Sequence, residues 1–343
     1  SAYFQTTLYT GNGGTQSITN TGNSDLQPDW IWIKARNEAE HGNLIDSVRG
    51  NTKVVYSSLT GAEDTTSIQV TSFASDGFAL GSGTNTNKNT ITYAAWQWKA
   101  NGSGSANTAG SINTTATSVN TTAGFSISTY TGNNTSGATI GHGLGVKPNV
   151  IMIKLRSGSG GYWITYHDKV SSAPETDYLA LNSSDAVADA DVFWNDTAPS
   201  STLITLGNDG WVNGSSTTHV CYAFAEKQGY SKFGSYIGNV NADGNFVYLG
   251  FKPSLVIMKL YGQSGSWWMW DNKRNTANPI TQGLSPNTSD AESAPYTAAM
   301  DFLSNGFKIR EAGSDINRAS GLIYMAWAES PFVTSTGVPA TAK

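Results

Sequence analysis

Val146-Lys-Pro148-Asn-Val150-Ile-Met152-Ile-Lys154 decides the fold of this 343-residue chain, because the chain writes it three times. The other copies are Leu26-Gln-Pro28-Asp-Trp30-Ile-Trp32-Ile-Lys34 and Phe251-Lys-Pro253-Ser-Leu255-Val-Ile257-Met-Lys259. The prolines are 120 and then 105 residues apart, too far for a solenoid and right for one small domain per copy. A proline heading a strand costs no ladder hydrogen bond. The run behind it is apolar on both faces, which places it mid-sandwich or under a neighbouring domain.

The same punctuation surrounds each copy. A strand ending in tyrosine runs into a turn at Tyr9-Thr-Gly-Asn12, Tyr130-Thr-Gly-Asn133 and Tyr236-Ile-Gly-Asn239. Glycine-rich loops at 157–161 and 262–265 lead into return strands ending at Asp168 and Asp271, and a shorter one, Asn43–Asp46, serves the first copy. Asp76-Gly77, Asp209-Gly210 and Asn305-Gly306 read as hairpin turns, which sets Trp211 level with Phe78 and Phe307 and favours a core role for it. Small and aromatic residues alternate in the closing strands Tyr93–Trp98, Cys221–Glu226 and Tyr324–Glu329. Only Asp185–Asp191 has the makings of a helical turn.

The expected fold is therefore all-β: three tandem β-sandwich, jelly-roll-like repeats of about seven or eight strands each. They occupy residues 1–100, 123–229 and 230–333, with an Asn/Gly/Ser/Thr-rich linker over 101–122 and a C-terminal tail over 334–343. The linker's middle, Ser111-Ile-Asn-Thr-Thr115, is placed as an edge strand of the second repeat. Its length lets the first repeat swing, while the short join at 226–233 makes the other two a stiffer pair.

Charged residues make up 13% of the chain and glycine fills 37 positions, a neutral surface common in extracellular β-proteins and fibres. A net charge of −5 without a basic cluster argues against nucleic acid and anionic membranes. The single cysteine, Cys221, excludes intrachain disulfides and cysteine-based zinc sites, and its apolar neighbours make it a small buried hydrophobe. No apolar stretch reaches the ~18 residues of a membrane-spanning helix. The opening Ser1-Ala-Tyr-Phe4 lacks signal-peptide features, so the expectation is assembly inside a cell and release by lysis, or a trimmed fragment.

Taken together, YTGN, the P-x-[WV]-I-x-I-K strand, the DG[FW] turn and the closing AWQWKA or FAE strand resemble a repeat of tail-fibre and minor virion structural proteins of marine tailed phages, cyanophage-like. Tyr230-Ser-Lys-Phe-Gly-Ser-Tyr236 and Phe302-Leu-Ser-Asn-Gly-Phe307 add to the likeness, which extends from about Tyr3 to Phe332. The resemblance implies a virion surface protein, a fibre or adhesin, and supplies no catalytic residues.

Positions kept in all copies serve the fold, and positions that differ are free to serve a site. Lys34, Lys154 and Lys259, with Asp46, Asp168 and Asp271, read as structural charges closing strand ends or satisfying loop backbone. His41, His142, His167 and His219 show no metal-ligand spacing and read as surface histidines. Asp185, Asp189 and Asp191 offer oxygens for calcium without matching an EF-hand loop, so no metal or cofactor is expected. Aligned on the shared aspartate, Trp268 falls opposite Thr165 and Asn43, and Trp270 opposite His167 and Ile45. Trp268, Trp270, Trp194 and His167 are thus the candidates for a ligand or interface, with an interface preferred to a sugar for the Trp268 face.

The expected function is non-enzymatic: a phage virion structural protein acting as a tail-fibre-like adhesin on the host envelope, glycan or protein. Its expected partners are other virion proteins and a host receptor, in a homotrimer by analogy with fibres. One chain mimicking threefold symmetry, or a capsid array, is the competing arrangement. The alternatives are a self-assembling filament, head-fibre or capsid-decoration subunit, and a polysaccharide depolymerase.

Overall fold

Both faces of the central run are apolar because both are covered. The computed structural model describes residues 2–330 and is all-β, built of antiparallel sheets. The tail at 334–343 lies outside the described residues. Each central strand (Trp30–Ala35, Val150–Leu155, Leu255–Leu260) pairs on one side with a return strand, Asn43–Asp46, Trp163–His167 or Trp267–Asp271. On its other side lies a closing strand, Thr92–Trp98, Thr218–Phe224 or Gly321–Trp327. Beyond that comes an opening strand, Phe4–Thr10, Phe125–Thr131 or Ser231–Ile237. These four strands are the whole of the third large sheet and the common part of the first two, which have six and seven strands. A small sheet stacks on each, built on the pairs Gln16–Thr19 with Gly77–Leu80, Ala138–Gly141 with Leu203–Leu206, and Phe246–Tyr248 with Gly306–Ile309.

Alternation along each strand divides its side chains between two cores. Ile31 and Ile33, Ile151 and Ile153, and Val256 and Met258 fill three separate clusters, each between a large sheet and its small partner. Trp30 and Trp32, Val150 and Met152, and Leu255 and Ile257 face the other way, into one cluster shared by all three copies. At its centre the equivalent closing residues Trp98, Phe224 and Trp327 meet edge to face, with ring centroids 6.4, 5.4 and 5.4 Å apart and interplanar angles of 65–74°. The copies are therefore not independent sandwiches, and the first is tied to both others instead of swinging.

Three seams close the ring, and each uses the terminal lysine of the central strand. The Lys154 ammonium, fully buried, donates to Gly161 O at 2.7 Å and to Thr60 O of the first copy at 2.8 Å. Lys259 donates to Gly265 O and Ser184 O, and Lys34 to Glu40 O and Thr288 O. Indoles cross two of the seams, Trp163 Nε1 to Tyr56 O and Trp267 Nε1 to Ala180 O. The first copy has Gly42 at that register, where a Cβ would stand 2.7 Å from the Trp32 indole nitrogen, so Trp32 fills the space instead.

The registers correct the alignment of the copies. Trp30 faces Asp46 and Leu255 faces Asp271, but Val150 faces His167, so His167, not Asp168, stands in the aspartate position. Asp168 lies one residue on and accepts from Asn149 Nδ2 at 2.8 Å. Trp268 is level with Ile164 and Asn43, and Trp270 with Tyr166 and Ile45.

The corrected register exposes a coupled replacement. At the first–second seam Arg49 pairs with Asp46 and Glu63, Glu63 pairs with Arg156, and Tyr222 OH donates to Asp46 at 2.7 Å. At the third–first seam Arg274 pairs with Asp271 and Glu292, Glu292 with Arg36, and Trp96 Nε1 donates to Asp271 at 3.1 Å. At the second–third seam the matching positions are His167, Val170, Val187, Tyr261 and Met325, all in or against the shared cluster except His167. His167 is buried, its Nε2 donates to Tyr324 O at 3.2 Å, and burial pushes its pKa down to about 4. Removing one member of a buried ion network strands the others, whereas replacing the whole set by apolar groups is nearly neutral. That is why the changes come together.

Other expectations change locally. In the linker the edge strand is Ala116–Asn120, paired with Phe125–Thr131, while Ile112 makes only a bridge to Ile140. Threonine and valine at 117 and 119 suit the pleat better than the polar residues before them. The short helix falls at Asp191–Trp194, just after the expected turn. His142 and His219 are buried with His167, the Nε2 of each donating to a carbonyl, that of Ser200 or of Gly210.

Two outcomes are expected. Glu63→Val alone lowers stability by about 3–5 kcal/mol in urea unfolding, while adding Asp46→His, Arg49→Val, Arg156→Tyr and Tyr222→Met, the set used at the second–third seam, restores most of it; equal loss in both variants contradicts the coupled reading. Burial lowers the Lys154 pKa from 10.5 to about 8. Between those values the unfolded chain holds the extra proton, so stability rises with pH relative to Lys154→Met, by at most about 1.4 kcal/mol per unit. Urea midpoints of the two proteins from neutral pH to about pH 10 check this sign.

Candidate functional site

Sequence divergence among the copies produces one pocket that the fold itself does not demand. Tyr162, Tyr178, Ala180, Asp185, Ala186, Ala188 and Trp211 line a concavity of about 310 Å³ on the second copy. That is near the lower end for small-ligand sites, about 300–1,000 Å³.

Each wall has a local cause. Asp209-Gly210 starts a short helix, Gly210–Asn213, instead of turning a hairpin, because the Asp209 side chain caps it by accepting from Trp211 N at 2.7 Å. The residue level with Phe78 and Phe307 is Ile204, so Trp211 is released from the core role assigned to it. Its indole packs against Tyr162 at 5.0 Å and 58°, and lies parallel to Phe193 at 6.1 Å. Gly161 makes room, since a Cβ there would come 2.3 Å from Trp211 Cδ1. Tyr178 projects from the strand Asp177–Ala180 and packs on Phe193 at 4.5 Å.

The floor belongs to the segment that the third copy pins. Trp267 Nε1 and Gly265 N donate to Ala180 O and Ser184 O, and Val187 N donates to Tyr261 O at 2.9 Å. The pocket therefore sits on the seam that lacks the arginine–glutamate network. Asp185 stands exposed on the rim, its Oδ2 accepting from Ser183 Oγ at 2.6 Å. The Trp211 indole N–H and the Tyr162 and Tyr178 hydroxyls have no hydrogen-bond partner among the described residues.

The other copies close the same place. Tyr56 stands at the Ala180 position of the first copy, and His41 at that of Tyr162. The two rings meet at 6.2 Å and 65°. Burial first, then Asp64, pushes the Tyr56 hydroxyl up to about 12. In the third copy Ser285 stands at the Ala180 position, and Trp268, level with it on the neighbouring strand, covers the place by packing on Trp270 and Tyr296.

The candidates chosen from sequence lie elsewhere. Trp270 and Trp194 are about 0–1% exposed core residues of the third and second sandwiches, and Trp268 is half-buried with its indole nitrogen enclosed. His167 lies buried in the second–third seam. Asp185, Asp189 and Asp191 belong to no group of His, Cys, Asp or Glu able to hold a metal ion among the described residues. Among those residues, too, no helix is long and apolar enough to cross a membrane. Sequence reasoning missed Tyr162, Tyr178 and Ala180. Their signal was a small residue in the return sheet opposite paired tyrosines, visible only with the copies in correct register.

Comparison with known proteins yields one match: the model of a domain of unknown function, DUF7483, covers residues 1–331. The chain belongs to that family. Its single model spans all three copies, in keeping with a core they share. No curated protein and no solved structure matches the chain.

Because Tyr56 fills the equivalent space in a working copy of the fold, Ala180→Tyr should plug the pocket and change stability by less than about 1 kcal/mol. Urea unfolding with intrinsic fluorescence checks it; a much larger loss means that the pocket is not equivalent to the filled site.

Proposed function

We propose that this protein is a non-catalytic structural component of a phage virion, exposed on its surface, that touches the host envelope in the manner of a tail-fibre adhesin. The phage context rests on the resemblance of its repeated motifs. The adhesin role rests on one observation: among the described residues, the place that Tyr56 covers in the first copy and Trp268 in the third stands open to solvent in the second as an aromatic pocket, with unsatisfied donors and a carboxylate at its rim. Packing alone gives no reason to expose Tyr162 beside Trp211 when Tyr56 closes the same place elsewhere. The ring closes within one chain, so a threefold arrangement needs no homotrimer; several chains on one particle would add avidity to a weak site.

A scaffolding role in the particle has its own support. Ile237, Val240, Phe246 and Tyr248 are about half exposed or more, at 46–61%, on the third copy. Phe246 and Tyr248 lie on the edge strand of its small sheet, an apolar surface suited to another virion protein. A depolymerase finds less support, because the pocket lining holds one carboxylate, Asp185, where glycoside hydrolysis uses two.

Purified protein should be retained on cells of the host, and Ala180→Tyr or Trp211→Ala should reduce that retention by about tenfold or more. Retention unchanged by both substitutions would sink the adhesin reading.

A further inference from the structure

We infer that the pocket between Tyr162, Tyr178 and Trp211 takes a neutral saccharide ring; the inference rests on the reading of that pocket as the adhesive site. A pyranose has two apolar C–H faces and a polar rim whose hydroxyls both donate and accept. The pocket matches each part. Tyr162, Tyr178 and Trp211 supply large, stiff apolar walls, and Ala180, Ala186 and Ala188 leave the floor low. The Trp211 Nε1–H and two phenol hydroxyls are donors without partners among the described residues, and Asp185 is an acceptor with Oδ1 left over after Oδ2 bonds Ser183.

Charge narrows the class. No lysine, arginine or histidine lines the pocket, and its one ionised group is the Asp185 carboxylate. A uronic or sialic acid would bring a second negative charge beside Asp185 with no cation in the lining to meet it, since the nearby Lys259 ammonium is buried under the floor and spent on the Ser184 and Gly265 carbonyls. It would bind at the cost of repulsion and desolvation. A methylated ammonium group would suit the carboxylate and the aromatic faces. It would leave the three donors unused, because a quaternary ammonium accepts no hydrogen bond. Desolvating unused donors costs affinity, so the neutral ring is the better fit.

Shape sets the mode. About 310 Å³ holds one sugar ring and part of a second, so the site reads a chain end or a branch and not a long stretch of polymer. The floor segment is pinned by Lys259, Gly265, Tyr261 and Trp267 of the third copy, so the pocket exists before ligand arrives. Preorganisation of this kind limits the ordering cost of binding a small, weakly held ligand.

Saturation-transfer NMR on the full chain tests the inference. The probes are methyl glycosides of glucose, galactose, mannose and N-acetylglucosamine, with glucuronate and choline beside them. At least one neutral glycoside should bind, and Trp211→Ala and Ala180→Tyr should weaken it by about tenfold or more. Asp185→Asn, which keeps an acceptor, should weaken it less than Asp185→Ala. Choline or glucuronate binding more tightly than every neutral glycoside overturns the saccharide class. So does the absence of any neutral binder while host-cell retention still depends on Ala180, although the adhesin reading then stands. Neutral binding that Ala180→Tyr abolishes, with host-cell retention unchanged, upholds the saccharide class and overturns the adhesin reading instead.

Discussion

Three aromatic rings at one point hold this molecule together. Trp98, Phe224 and Trp327 end the closing strands of the three copies and meet edge to face, the arrangement that ring quadrupoles favour. Around them the inner faces of the three large sheets converge, with Trp30 stacked on Tyr222 at 4.6 Å. No copy can bury that face alone. The large sheets need one another for the inner side and a small sheet for the outer side, which explains strands apolar on both faces in a chain with only 13% charge.

Such a centre does not dictate which copy sits beside which, and the seams do. Two carry Asp–Arg–Glu–Arg networks capped by Tyr222 or Trp96, and the third is apolar around His167. An arginine facing the valine set would be buried without a partner, so the mixture disfavours wrong neighbours during folding. The buried lysines at 34, 154 and 259 act differently, since each satisfies loop carbonyls on both sides of its seam. They are common to all seams because every seam presents the same carbonyls.

The repeated run, its proline head and the closing aromatics were legible in the sequence, since they obey the period of a strand and recur at domain spacing. Pairing across the copies was less so. Aligning Asp168 with Asp46 and Asp271 was chemically reasonable and wrong by one residue, and the repeated D-x-x-R of Asp46–Arg49 and Asp271–Arg274 was hidden by it. Likewise Asp209-Gly210 has the composition of a hairpin turn, yet a capping bond to Trp211 N makes it a helix start. Local chemistry allowed both outcomes, and the neighbouring sheet selected one.

The sequence by itself determined an all-β chain with an apolar strand at the heart of each copy, because binary pattern and turn residues act over a few positions. Only the tertiary structure decided that the copies close a ring, that His167 replaces an aspartate at one seam, and that Ala180 leaves open what Tyr56 fills. Those outcomes depend on which residues stand opposite one another across strands some 90–175 positions apart in the chain, such as Lys154 with Thr60 and Trp96 with Asp271. A strand's own sequence does not specify its partner's register, and here register is what shows that a position filled by tyrosine in one copy is left open as a pocket in another.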